Sequence, residues 1–210
     1  MSDQPETPVL CVTLNAALDT TYEAATVVAG DVNRVTHTHT HAGGKGVNVA
    51  RLLTAWGQPA SVLGFAGGPV GDEIVASLRE GNIAHHLVRC GGESRRTVTV
   101  VGPDSSTGLY ESGPTISVAE WEALGAAYEA LLPSAGLVVL AGSLPPGVPE
   151  DAYRELTAAA RSRELPVVVD AYGKPLLHAL DAGPSVVTPN ENELAEAVGL
   201  TVPVPIDLAA

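Results

Sequence analysis

Cysteine is scarce in this sequence. Only Cys11 and Cys90 occur in 210 residues, Cys11 in an apolar run and Cys90 before two glycines. Two such residues make neither a disulfide framework nor a zinc site. We expect both to be ordinary thiols that pack as small apolar side chains.

Basic residues are scarce as well. The chain has 11 Lys plus Arg against 24 Asp plus Glu, a formal net charge of -13, and its only lysines are Lys45 and Lys174. This balance argues against binding to nucleic acid and to anionic membrane surfaces, and an anionic ligand would need a few local cations. Residues 1–10 lack a basic region followed by an apolar run, and no apolar stretch approaches a membrane span in length. We therefore expect a cytoplasmic protein.

Short apolar runs alternate with longer amphipathic ones along most of the chain. PVLCVTL, SVLGFAG, GLVVLAGS and PVVVDAY are typical of strands, whereas VNVARLLTAWG, EIVASLREGN and DAYRELTAAARS have helical spacing. This alternation predicts an α/β fold, with a mainly parallel sheet and helices on both faces. With 45% hydrophobic residues, the chain is long enough to bury a core of its own.

Two segments break the alternation. Residues 21–41 and 95–112 are rich in Thr and Val with a period of two, which is typical of strands with one solvated face. They predict a small β-flap, from about residues 20–41 and 95–112, that projects from the α/β body. Near the end, Asp207 resembles a helix N-cap but only three residues follow it. The chain is therefore expected to stop inside an element.

The stretch HAGGKGVNVARLL, residues 41–53, combines glycines with one of the two lysines. It is not a Walker A loop, because His39 and Gly46 stand where that motif needs Gly and Ser or Thr. It also lacks the last small residue of a dinucleotide fingerprint. Glycines at a helix start let a ligand approach the backbone N–H groups, and the ammonium adds positive charge. The loop is therefore predicted to bind an oxygen-rich or phosphorylated small molecule.

A set of motifs follows in order: TLNAALD (13–19), D-x-NR (31–34), AGGKGVNVARLL (42–53), GFAGG with Gly71 (64–71), GPTIS (113–117), AGSLPPGVP (141–149), VVVDAYG (167–173) and TPNENEL (188–194). The ordered set resembles the PfkB, or ribokinase-like, sugar kinases, and within them the 1-phosphofructokinase and tagatose-6-phosphate kinase branch. The resemblance implies a Rossmann-like ribokinase fold with a β-flap lid that often forms a homodimer contact. It also implies ATP- and Mg²⁺-dependent phosphorylation of a ketose phosphate. Fructose 1-phosphate, giving fructose 1,6-bisphosphate, is the first choice, followed by tagatose 6-phosphate and fructose 6-phosphate.

The resemblance also assigns sugar-binding residues. Asp19 stands at the family's acceptor for sugar hydroxyls, a role that suits a carboxylate because it can accept from two neighbouring hydroxyls. The family's sugar-binding loop and first helical turn correspond to Gly43, Gly44, Lys45 and Asn48.

Phosphate and metal ligands are implied in the same way. Arg34 and Arg95 are candidates for the substrate's own phosphate, since a guanidinium fork matches phosphate oxygens. Arg96 should point to the opposite face of its strand. The residues that resemble the family's Mg²⁺ and phosphate ligands are Asn190, Glu193 and Asp170.

One family motif has no counterpart in this sequence. The family has a GAGD-type motif at a helix N-terminus, whose Asp is the base for the acceptor hydroxyl, and no G-x-G-D occurs here. We expect a C-terminally incomplete member that holds the sugar half of the site, contains no catalytic base and is inactive alone. ATP would bind mainly to the missing half.

Three alternatives remain open. The chain could be a non-catalytic sugar-phosphate binding or regulatory protein. His37, His39 and His41 alternate along a predicted strand and could ligate zinc or nickel. The glycine run GFAGGPVG could be the dinucleotide-binding loop of a nicotinamide dehydrogenase. Such a site would need an acidic residue at the end of the next strand, and residues 84–92 contain none.

Overall fold

A computed structural model describes residues 7–28, 30–103 and 106–199. Its elements, in chain order, are β1 (Val9–Thr13), β2 (Ala17–Ala24), β3 (Val35–Gly43), α1 (Lys45–Ala55), β4 (Ala60–Gly67), α2 (Gly68–Glu80), β5 (Ala84–Cys90), β6 (Arg95–Val101), β7 (Ser106–Tyr110), α3 (Val118–Leu131), β8 (Leu137–Ala141), α4 (Ala152–Arg161), β9 (Val167–Asp170), α5 (Gly173–Asp181), β10 (Val186–Val187) and α6 (Glu191–Val198). Asp207, where the sequence suggested a helix start, lies outside the described residues.

The main sheet has six strands in the order β10-β9-β8-β1-β4-β5. All of its pairings are parallel, so the predicted parallel sheet is confirmed. The central strand β1 is buried along its whole length. Its sequence is apolar at almost every position because helices cover both faces of a parallel sheet.

Side chains of β1 enter two separate cores, one on each face of the sheet. Cys11 belongs to the core that includes Ile74 of α2 and buried residues of α1. Val12 belongs to the other core, with Tyr128 of α3 and Tyr153 of α4. Since neighbouring strand residues point to opposite faces, this division confirms the prediction of helices on both faces.

Both cysteines are free and buried, as expected of thiols that pack as small apolar side chains. Burial raises the pKa of the Cys11 thiol to about 12. This thiol therefore stays neutral at physiological pH and packs as an apolar side chain.

A second sheet has four strands in the order β3-β2-β6-β7. The two Thr- and Val-rich segments contribute to it, with β2 antiparallel to β3, β6 antiparallel to β7, and β2 parallel to β6. Most of β3 and all of β7 are exposed. The alternating composition therefore coincides with strands that have a solvated face.

The order of the strands fixes where a ligand can enter. After β1 the chain adds β4 and then β5 on one side of it, and later adds β8, β9 and β10 on the other. The direction of addition thus reverses between β1 and β8. In open α/β sheets, ligands bind outside the carboxyl ends of the strands at such a reversal.

Within residues 7–28, 30–103 and 106–199, no helix is both long and apolar enough to cross a bilayer.

Two helical glycines should respond oppositely to substitution by alanine. A Cβ on Gly46 in α1 would lie 2.2 Å from Thr13 Oγ1 and 3.0 Å from the Val12 carbonyl oxygen, whereas a Cβ on Gly125 in α3 meets nothing within 4 Å. Gly46→Ala should lower the free energy of unfolding by about 1–3 kcal/mol through overpacking. Gly125→Ala should raise it by about 0.5–1 kcal/mol through helix propensity. Urea denaturation measures both, and equal effects would contradict this packing of α1 on β1.

Candidate functional site

A cavity of about 960 Å³ lies at the reversal point of the sheet. It is bordered by the carboxyl ends of β1 and β8, the segment after β9, the N-termini of α1 and α5, and one side of the second sheet. The predicted site residues that line it are Asp19, Gly44, Lys45, Asn48 and Arg95. Segments distant in the sequence therefore meet at a single ligand-sized space.

Asp19 occupies the wall formed by the second sheet. It faces His41 across the β2–β3 pair, so Gly43 is its diagonal neighbour. A Cβ on Gly43 would lie 1.8 Å from Asp19 Oδ2, so only glycine leaves room for the carboxylate there. Thr97 on β6 donates a hydrogen bond to Asp19 Oδ1. These contacts fix the carboxylate at the edge of the cavity.

Cations surround the same carboxylate. Burial lowers the pKa of Arg51, and the nearby Asp19 opposes this shift. Burial also lowers the pKa of His41, helped by the positive charge of Arg51 and opposed by Asp19. Arg51 donates to the Ala42 carbonyl and, over 2.6 Å, to Asn48 Oδ1. The amide nitrogen of Asn48 is the part of that side chain left to donate to a ligand.

The Lys45 ammonium lies close to two carboxylates. It is 2.7 Å from Asp170 Oδ1 at the end of β9 and 3.8 Å from Glu193 Oε1 in α6. Glu193 and Asn190 also form a reciprocal cap, in which each side chain accepts from the other's backbone N–H over 2.9 Å. The residues assigned to Mg²⁺ and to the sugar loop are therefore joined through Lys45.

The three arginines of the flap segments have different surroundings. Arg95 is half-buried and donates from Nε to the Asn15 carbonyl over 3.0 Å, and burial lowers its pKa while Asp19 opposes the shift. Arg96 reaches the other way, 3.4 Å from Glu73 Oε1 in α2, which agrees with the expected alternation. Arg34 is exposed in the segment before β3 and does not line the cavity. The structure therefore does not bring Arg34 together with the other predicted residues.

The cavity lining also includes polar residues that the sequence did not single out as site residues, among them Asn15, Ser143 and Lys174. Asn15 is 5% exposed and donates to Ser112 O and Ser143 Oγ over 3.0 and 3.1 Å, while its Oδ1 has no partner among the described residues. Asn15 and Ser143 lie within the quoted motifs TLNAALD and AGSLPPGVP. Lys174 repeats the Gly-Lys pair of residues 44–45, and this repetition was the signal that could have revealed it.

The glycine run GFAGGPVG is not arranged for a nucleotide. Glu93 Oε1 accepts from the Val70 N–H over 2.7 Å at the start of α2. The same carboxylate lies 2.2 Å from where a Cβ on Gly68 would be. Because a carboxylate already holds this helix N-terminus, a pyrophosphate has no place there, and the dehydrogenase alternative loses its main support.

The histidine stripe pairs with a carboxylate. His37 Nδ1 and His39 Nε2 lie 3.4 and 3.7 Å from the two Glu23 oxygens. In the described ranges, no group of three His, Cys, Asp or Glu side chains is placed to hold a metal ion. The geometry therefore gives the zinc or nickel alternative no support.

A family model described as "pfkB family carbohydrate kinase" matches residues 12–207. The chain belongs to this family. The ribokinase-like fold expected from the ordered motifs is confirmed by the solved structures that it resembles.

A possible 1-phosphofructokinase from Thermotoga maritima is 31% identical, with a TM-score of 0.84 over 87% of this PfkB chain and 60% of that one. A putative phosphofructokinase from Staphylococcus aureus is 28% identical, with a TM-score of 0.75 over 94% and 64%. The phosphofructokinase-2 of Escherichia coli in complex with fructose-6-phosphate is 27% identical, with a TM-score of 0.82 over 95% and 66%. The chain thus spans between 60% and 66% of the length of these relatives.

His41 should titrate below its ordinary pKa of 6.5. Because the pKa is lowered by folding, the stability tied to this group is present above pH 6.5 and is lost as the pH falls through the folded value. Arg51→Gln should raise the pKa of His41, and Asp19→Asn should lower it further, since the two charges act in opposite directions. NMR titration of the imidazole measures these shifts. A pKa that neither substitution moves would contradict the proposed charge cluster.

Proposed function

We propose that this PfkB chain supplies the sugar-binding half of the active site of an ATP- and Mg²⁺-dependent ketose-phosphate kinase. Fructose 1-phosphate is the preferred substrate, with tagatose 6-phosphate and fructose 6-phosphate after it. The observation that carries the proposal is the gathering of Asp19, Arg95 and Lys45 around one cavity at the sheet reversal. The relatives described as phosphofructokinases support the substrate class.

The cavity has separate groups for hydroxyls and for phosphate. Asp19 accepts hydrogen bonds from two neighbouring sugar hydroxyls, and Asn48 donates from its amide. Arg95 has guanidinium N–H groups beyond the one that holds Asn15 O, and they serve the sugar's phosphate. A sugar phosphate has hydroxyls for Asp19 and Asn48 and a phosphate for Arg95. An unphosphorylated sugar would leave the Arg95 guanidinium without an anionic partner.

The residues near Lys45 fit a magnesium ion. Asp170 and Glu193 offer carboxylate oxygens 2.7 and 3.8 Å from the ammonium, and Mg²⁺ usually binds through one or two carboxylates together with waters and phosphate oxygens. The ion would supply charge neutralisation for the nucleotide phosphates. Asn190, which caps α6, orients Glu193. Lys45 compensates the two carboxylates when no metal is bound.

Phosphoryl transfer also requires a base. The bond from the γ-phosphorus of ATP to its bridging oxygen breaks, a bond to the sugar hydroxyl oxygen forms, and that hydroxyl must lose its proton. The family resemblance implies that the base is the Asp of a GAGD-type motif, and no G-x-G-D occurs in this sequence. We therefore propose that the 210-residue chain binds sugar phosphate but does not transfer the phosphoryl group alone.

Exposed apolar side chains on the second sheet support a homodimer. Leu109 on β7 and Val35 on β3 are 64% and 43% exposed. A tetramer is described for the phosphofructokinase-2 of Escherichia coli, and we propose self-association through the flap for this chain.

We also propose a cytoplasmic location, since sugar phosphates and ATP are cytoplasmic metabolites.

The binding proposal is tested with two substitutions and a matched control. Asp19→Asn removes the charged acceptor, and Gly43→Ala displaces the same carboxylate by placing a methyl group on it. Each should weaken fructose 1-phosphate binding at least about tenfold, the value of one charge-assisted hydrogen bond. Asp181→Asn, at the exposed end of α5, should leave the affinity unchanged.

Isothermal titration calorimetry measures the affinities, and circular dichroism verifies that each variant is folded. Folded Asp19→Asn and Gly43→Ala proteins that bind fructose 1-phosphate as well as the unmodified chain would disprove the assignment of Asp19.

A further inference from the structure

Both lysines of the sequence line the same cavity. Lys45 is the first residue of α1 and Lys174 is the second residue of α5, so they come from helices far apart in the chain. A cation at a helix N-terminus is unfavourable, because that end of the helix is already positive. In a chain with a net charge of -13, two lysines at such positions indicate an anionic ligand between them.

The two ammonium groups are held to different extents. Lys45 contacts carboxylates of β9 and α6, one of them at 2.7 Å. Among the described residues, Lys174 forms an ion pair with Glu150 alone, at 3.2 and 3.3 Å from its two oxygens, and these side chains are 70% and 64% exposed. An exposed ion pair of this kind contributes little stability. Breaking the ion pair of Lys174 therefore requires less free energy than breaking the contacts of Lys45. Lys174 is the cation that is more available to a ligand.

The Glu150 carboxylate lies where the phosphate of a ligand would contact Lys174. Its two oxygens lie at nearly equal distances from Lys174 Nζ, as two oxygens of a phosphate group would. Around this pair, Gly142 and Gly173 have φ values of 105° and 61° and leave the backbone open to a ligand. The first turn of α5 contains no acidic residue and has no side-chain cap, so its N–H groups can add to the contact.

A second, independent feature of the cavity also indicates a polar ligand. Asn15 is 5% exposed, and its Oδ1 has no hydrogen-bond partner among the described residues. Buried polar atoms are rarely left without a partner. The cavity that contains Lys174 therefore has unused hydrogen-bonding capacity as well as positive charge.

We propose that Lys174 is a phosphate-binding residue of this cavity and that Glu150 holds it in place until a ligand phosphate replaces the carboxylate. The inference rests on the proposed function in that the phosphate belongs either to the sugar phosphate or to ATP. The exchange moves one ammonium from a carboxylate to a phosphate and forms or breaks no covalent bond. Because the Glu150 carboxylate competes with ligand anions for Lys174, it lowers the affinity of the cavity for anions.

The experiment compares Lys174→Gln and Glu150→Gln with a matched control. Arg154→Gln removes a cation from a neighbouring exposed ion pair, that of Arg154 with Asp151, which does not line the cavity. Calorimetric titration of the 210-residue chain uses three probes separately: pyrophosphate, fructose 1-phosphate and MgATP. Thermal unfolding confirms that each variant is folded.

Lys174→Gln should weaken binding of pyrophosphate and of at least one of the other probes about tenfold. Glu150→Gln should strengthen the same binding about two- to fivefold, because the competing carboxylate is gone. Arg154→Gln should change neither. The affected probe identifies the source: loss for fructose 1-phosphate assigns Lys174 to the sugar's phosphate, and loss for MgATP assigns it to the nucleotide.

The outcomes separate this proposal from the proposed function. If Lys174→Gln binds all three probes like the unmodified chain, the role of Lys174 is wrong while sugar-phosphate binding stands. If the unmodified chain binds pyrophosphate but not fructose 1-phosphate, and Lys174→Gln loses the pyrophosphate, the phosphate site stands and the substrate assignment fails. If the unmodified chain binds none of the probes, both proposals fail.

Discussion

The reversal of strand order between β1 and β8 is the constraint on which the rest of the site depends. Because β4 and β8 flank β1 on opposite sides, the connections that leave the carboxyl ends of β1 and β8 diverge and leave a crevice. The second sheet starts three residues after β1 ends and forms one wall of that crevice. The predicted residues that line the cavity lie in or beside elements that begin or end at this edge: Asp19, Gly44, Lys45, Asn48 and Arg95.

Charge compensation would allow this acidic chain to hold the anionic substrate proposed above. Lys45 is balanced by Asp170 and Glu193, and Lys174 is balanced by Glu150. Each ammonium is thus paired with at least one carboxylate, and under the proposals above a cation would become available when a carboxylate binds a metal or is displaced by phosphate. This arrangement avoids the cost of unpaired charge. Under the proposal made above, Lys174 exchanges its carboxylate for a ligand phosphate, whereas Lys45 is held by carboxylates of β9 and α6.

Much of this could be predicted from the sequence because it depends on local pattern. The buried strand VLCVT, the helix after Gly44 and the approach of Asp19 to the sugar loop all follow from motifs or periodicity. The ion pairs could not be predicted, since Lys45 and Asp170 are 125 positions apart and meet only when β9 lies two strands from β1. Lys174 could have been found from the Gly-Lys pair at 173–174, which repeats the pair at 44–45, but its ion pair with Glu150 depends on tertiary structure. Arg34 was placed at the site from its motif alone, and its exposed position before β3 depends on how the flap folds.

The central claim is that one cavity binds a sugar phosphate without completing the transfer. Phosphorus NMR tests both halves in one sample of the 210-residue chain with fructose 1-phosphate and MgATP. The account predicts that the fructose 1-phosphate resonance broadens or shifts in proportion to the protein added, while no ADP resonance appears. An unchanged fructose 1-phosphate resonance would contradict the cavity assignment, and the growth of ADP together with fructose 1,6-bisphosphate would contradict the half-site.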